Sequence, residues 1–337
     1  MKPVHRSMHA ALCLLLGVSV IAPAAAQPPP PPDASPPAAS PAAPPATTAP
    51  AAPEDQPPEL PPIPLHRLYL ASLTIFRYNP LGFESQKRLV FQRRLMDSPS
   101  IVLHDTFVSG AASLKLNPAY LKIGPIVELQ PLALLNVRVG YDFLYYFGSF
   151  GYLQSYPSAA RPYSDAARKA TERSAYSTSG HHVFIEPTLQ AKVKSIALRS
   201  KLAIEYWNMG LRAGDRVFYD ATLDTLVPNK GWVLANDSDL VYILDRLTFG
   251  VRFSGSWPLY RAEDYGVTGL PVGFGGNRHM RLGPVVAFSF TTREYTNFNK
   301  PTLLAIAGWY LDHPNREGAL PYMLLGFSFS SDFLSAR

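Results

Sequence analysis

The sequence predicts an all-β chain: a transmembrane antiparallel up-and-down β-barrel of about 12 strands (range about 10–14), preceded by a disordered Pro-rich extension. Three observations carry this. Stretches of the chain alternate apolar and polar residues with a period of two. The N-terminus reads as an export leader. No later segment offers the uncharged apolar run that a membrane helix needs.

Lys2 and Arg6 precede an apolar run from Ala10 to Ile21, and Ala24-Ala25-Ala26 supply small residues for cleavage before Gln27. The predicted organisation is therefore a signal peptide over 1–26, a linker over 27–64 and a barrel over 65–337. Cys13 is the only cysteine and lies inside the apolar run, so the exported chain has no thiol and no disulfide. Removing Lys2 and Arg6 leaves 29 basic against 25 acidic residues. These charges are interspersed, with no basic stripe among aromatics, which argues against a nucleic-acid partner.

Residues 27–64 hold 17 of the 34 prolines, filled out mostly by Ala and Thr. Such a segment cannot bury a core. It is expected to be an extended periplasmic tether reaching on the order of 100 Å at roughly 3.1 Å per residue. It reads as a passive spacer or as an arm touching the cell wall.

The strands follow. Leu135, Val137, Val139, Tyr141, Phe143, Tyr145 and Phe147 form one face of the clearest segment, with Asn136, Arg138, Gly140 and Asp142 on the other. Similar alternation runs over 122–130, 183–194, 196–206, 247–253, 280–290 and 323–333. Less clean segments fall near 66–76, 86–95, 102–116, 238–244 and 302–311. Loop lengths agree. Counting back from a periplasmic C-terminus, the long segments 148–180, 208–237, 262–278 and 312–319 fall outside. The tight turns at Ser195 and Asp245-Arg246 fall inside, as barrels of this kind require. Within 208–237, residues 214–234 are expected to form a small hairpin above the membrane. A soluble β-sandwich also alternates, but its strands are shorter and do not carry charges in mid-strand.

On the dyad strands, on the Tyr and Phe near strand ends (Tyr141, Tyr145, Phe147, Tyr206, Trp207, Trp257, Tyr260, Trp309, Tyr310) and on the terminal strand, the chain resembles Gram-negative outer-membrane β-barrel proteins over about 65–337. In that class the last strand ends in an aromatic residue read by the barrel-assembly machinery. Here Phe327, Phe329 and Phe333 alternate in that way, although Leu334-Ser335-Ala336-Arg337 follow. The resemblance implies outer-membrane lipid and the assembly machinery as partners.

The inward face supplies the candidate site. It carries Lys122, Arg138, Lys192, Lys194, Arg199, Lys201, Arg252 and Arg281 with Glu128, Asp142, Glu186 and Glu205. The expectation is a water-filled lumen with a basic surplus, and so a porin-like channel for small, anionic solutes. Cross-strand pairing that fills the lumen is the alternative, giving a plugged barrel that meets partners through its loops. The candidate catalytic sets are His181-His182 and Asp312-His313 with Glu317. Neither has a spaced signature, so no enzyme, cofactor or metal is expected. Adjacent strand residues also face opposite sides, which separates the His pair.

Overall fold

The computed structural model describes residues 63–266, 276–316 and 321–336. The expected leader, nearly all of the Pro-rich segment and Glu317 lie outside these. The barrel wall begins with β1 (His66–Tyr78), β2 (Gly82–Arg94), β3 (Phe107–Asn117), β4 (Tyr120–Leu132) and β5 (Leu135–Phe147). The chain then leaves the wall for β6 (Ser155–Tyr156) and returns as β7 (Ser177–Val193) and β8 (Ile196–Met209). A second excursion forms β9 (Val217–Asp220) and β10 (Thr225–Pro228). The wall is completed by β11 (Gly231–Leu244), β12 (Leu247–Leu259), β13 (His279–Ser289), β14 (Asn299–Asp312) and β15 (Tyr322–Ala336).

Twelve antiparallel strands close on themselves, with β15 paired to β1, so no edge is left to lipid. Outward residues such as Val139, Val127, Leu189 and Leu240 are exposed, whereas Asn136, Asp142 and Asp239 on the other face are buried. An apolar exterior around a polar interior identifies a membrane barrel and excludes the sandwich. Close packing inside begins at single residues: the ring of Phe184 lies over Gly140, where a Cβ would come within 2.2 Å of it.

The longest connections, 148–176, 210–230 and 260–278, all lie at one end, beside the short turns 79–81 and 118–119; the other end carries the tight turns Lys194-Ser195 and Asp245-Arg246 and the intermediate connections 95–106 and 290–298. The end with the longest loops is external, as barrels of this kind require. Three sequence expectations are corrected. Residues 101–104 form one helical turn rather than the start of a strand, because Ser98-Pro99-Ser100 starts a turn and the Ser100 carbonyl accepts from Leu103 and His104. Lys194 sits in the turn itself at φ 53°, beyond the end of β7, not on the lumen face of a strand. The predicted small hairpin does not stand above the membrane. Phe218 and Val227 pack on the inward wall residues Leu144, Tyr146 and Trp207, which sets the hairpin inside the barrel mouth, while Val217 and Leu226 on its other face are covered by Tyr156, Ala159 and Tyr163 of the preceding long loop. At the C-terminus, β15 bulges where Tyr69 pairs with Asp332 and Leu68 with Leu334, leaving Phe333 as the extra residue.

Candidate functional site

The site is the lumen, and its outer half is closed by the chain's own hairpin. β9 pairs with β10 on one side and with β6 on the other to make a three-stranded sheet. The turn at the tip, 221–224, is shaped by Asp220, whose carboxylate accepts from the backbone N–H groups of Thr222 (2.7 Å) and Leu223 (2.9 Å). Inward residues of the wall meet this sheet in a dry cluster: Tyr120 and Leu144, Tyr146 and Trp207, Met209 and Val233, packed on Phe218, Leu223 and Val227.

Polar contacts come to the tip from around the ring. Arg77 of β1 donates to the Ala221 carbonyl at 3.2 Å. A His279 ring nitrogen of β13 lies 2.7 Å from the Leu223 carbonyl. Lys122 of β4 lies 3.9 Å from the Asp220 carboxylate. Asp224 is the centre of the latch. Arg316, from the loop before β15, donates to its two oxygens at 2.5 and 2.9 Å. The hydroxyls of Tyr219 and Tyr310 each lie 2.8 Å away, and His313 lies 3.4 Å away. Burial alone pushes the Asp224 carboxyl pKa up, but hydrogen bonds from His313 and Arg316 outweigh it and hold the group well below the usual carboxylate range.

Below the tip the lumen holds open space lined by polar side chains. A cavity of about 400 Å³ is lined by Thr222 and Leu223 above and by charged wall residues such as Arg88, Lys115, Arg138, Glu186 and Arg199. A second, of about 180 Å³, lies against Glu128, Gln130, Asn136, Arg138 and Arg199. Ion pairs thread the wall. Arg138 bridges Glu128 and Glu186, each at 3.2 Å. Lys201 lies 3.5 Å from Glu186 and 3.7 Å from Asp237. Arg252 makes a bidentate contact with Asp239 at 2.5 and 2.7 Å. Lys115 holds Asp142 at 2.9 Å; His182 links Asp142 (3.2 Å) to Glu205 (3.1 Å) and stacks on Trp207 at 3.9 Å. Arg281 lies over the Tyr322 ring at 3.8 Å.

Lys122 is thus tied to the hairpin, while most of the others fall into three paired groups: Arg138, Glu128, Glu186 and Lys201 with Asp237; Asp142 and Glu205 with Lys115 and His182; and Arg252 with Asp239. Lys192, Lys194 and Arg199 are exposed and have no carboxylate within ion-pair distance among the described residues. Sequence reasoning missed Arg77, Glu84, Arg88, Lys115, Asp237 and Asp239, which lie on strands with blurred alternation. It also did not supply the partners that Asp237 and Asp239 give to Lys201 and Arg252. His181 and His182 part as expected: His181 turns outward to the Tyr141 hydroxyl at 2.6 Å, and His182 turns inward. His313 is committed to Asp224.

No family model matches the chain, and no curated protein matches it. Among solved structures, the NanC porin is 10% identical with a TM-score of 0.36, covering 79% of this chain and 100% of that one. The translocator domain of the autotransporter NalP from Neisseria meningitidis is 9% identical with a TM-score of 0.40, covering 79% and 88%. The KdgM porin is 8% identical with a TM-score of 0.33, covering 79% and 99%. These likenesses are too loose to carry residues or activities across. The closed ring, apolar belt and polar lumen make the chain an outer-membrane type β-barrel whose external half is filled by its own hairpin.

Proposed function

We propose that the protein is a gated outer-membrane channel for small polar solutes, with the β9–β10 hairpin as its stopper. The observation that supports this is the contrast at the hairpin tip. Open cavities lined by charged residues lie directly beneath a plug, and the most heavily bonded group at the plug's tip is one carboxylate, Asp224, held by Arg316 and the Tyr310 hydroxyl. The reading includes export by the leader, insertion through the barrel-assembly machinery and a spacer role for 27–64, with the cell wall within its reach. It includes no catalytic step. The unpaired Lys192, Lys194 and Arg199 support a modest preference for anions. A barrel permanently plugged for structural or surface interaction is the second reading, favoured by the dry aromatic packing of Trp207 on Phe218.

Conductance of the refolded barrel separates the two. Replacing 217–228 by a short Gly-Ser link is expected to convert a barrel with rare, brief openings into one that stays open. A folded, heat-modifiable deletion variant without conductance would remove the channel reading. Equal conductance in wild type and deletion variant would remove the stopper.

A further inference from the structure

Among the described residues, the outer wall carries two polar patches between its aromatic ends. On β2 the outward row reads Phe83, Ser85, Lys87, Leu89, Phe91, so Lys87 lies midway between the two aromatic ends. Its ammonium donates to the Ser72 hydroxyl on β1, and the Phe329 ring of β15 lies 5.7 Å away. No carboxylate lies within ion-pair distance of it among the described residues. Thr74 and Ser85, whose hydroxyls are 3.4 Å apart, extend the patch. The second patch is on β8 and β11. There Ser200 and Ser238 bond at 2.8 Å, and Ser238 donates to the Asn236 side chain at 2.8 Å. Asn236 and Ser238 sit between Trp232 and Tyr242 on their own outward row, at the same mid-wall level.

We infer that copies of this chain associate side by side in the membrane, the Lys87 patch of one against the Asn236 and Ser238 patch of the next. Three arguments select this occupant. A lysine amid hydrocarbon needs an acceptor, and its stem is too short to carry the charge past Phe83 or Phe91 to the interface. An ammonium has three donors and Ser72 takes one; the facing patch offers amide and hydroxyl oxygens with free lone pairs. Lipid phosphates lie at the interface, not at this depth, and a symmetric contact would bring two Lys87 ammoniums together. Strands β1 and β2 stand opposite β8 and β11 in the ring. The contact is therefore head-to-tail and propagates as a row instead of closing as a dimer. It does not depend on whether the lumen conducts.

Cysteine cross-linking tests this, because Cys13 is the only native cysteine and is replaced by Ala in every copy. Full-length chains carrying Ser85→Cys and Ser238→Cys, with different tags, are co-expressed and oxidised in intact outer membranes. The mixed product is expected at least tenfold above either same-site product. Adding Lys87→Leu is expected to cut it severalfold while heat-modifiable migration stays unchanged. No mixed product, a dominant Ser85→Cys self-product, or a yield indifferent to Lys87→Leu would each overturn the proposal. Should either variant fail to fold, Thr74→Cys with Ser200→Cys gives the same reading at adjacent positions.

Discussion

Above Lys122 the lumen is built like a soluble core: Trp207, Phe218, Leu144 and Val233 pack in one buried apolar cluster. Below it, the same strands line cavities with Arg138, Glu186, Lys201 and Asp237 held in pairs. One wall thus serves two solvents along its height, and the switch occurs within single strands. β5 passes from Asn136 and Arg138 to Leu144 and Tyr146 on its inner face. The difference teaches that a barrel's inner residues are chosen by what faces them: aromatic where a hairpin fills the space, charged and cross-paired where water does.

The largest test strikes the latch. Asp224→Asn removes the buried counter-charge of Arg316, leaving it only the exposed Asp165 carboxylate at 3.2 Å, and is expected to cost the closed state roughly 3–5 kcal/mol, read as a rise in open probability. The wild type adds a pH arm. Because the folded carboxyl is depressed, its contribution is complete above about pH 4, the unfolded value, and is lost as pH falls through the lower folded value. Wild-type closure is therefore expected to hold from neutral pH down through the ordinary carboxylate range, while Asp224→Asn opens at every pH. Opening of the wild type at pH 6 would show that another group holds the hairpin.

The next test contrasts the two faces of β5. Val139→Arg puts a charge on the lipid side and is expected to cost roughly 2–4 kcal/mol in denaturant titrations of the refolded barrel. Arg138→Ser leaves Glu186 paired with Lys201 and Glu128 with Arg88 on the polar lumen face, at a cost of no more than about 1 kcal/mol. Equal costs would contradict the separation of lipid from water. Smallest is Arg199→Ser, expected to move the reversal potential of the hairpin-deleted channel slightly toward zero from the anionic side. A shift in the anionic direction would show that Arg199 does not contribute to selectivity.

The fold was legible wherever one face of a strand was uniformly apolar. β5 is read from the sequence with its boundaries, Leu135–Phe147, unchanged. It was harder to read where both faces carry polar residues. In β11, Asn236 and Ser238 point out while Asp237 and Asp239 point in, so no period of two survives there and the partners of Lys201 and Arg252 went unseen. β2 is blurred in the same way by Ser85 and Lys87. The plugging of the outer half was not legible at all. Every residue of β9 and β10 is buried, leaving no alternation to read, and burial on both faces depends on a wall and a long loop distant in sequence.

The hairpin belongs to the stretch between β8 and β11, two neighbours in the wall, and is anchored to the frame at both ends. A stopper on such a double leash cannot diffuse away when it is released. Its return is a unimolecular event, governed by the local concentration that two short tethers impose, on the millimolar scale for short flexible linkers. Closing should therefore be as fast for one barrel in a bilayer as for a crowded membrane, and no soluble copy of the hairpin would compete with it at ordinary concentrations.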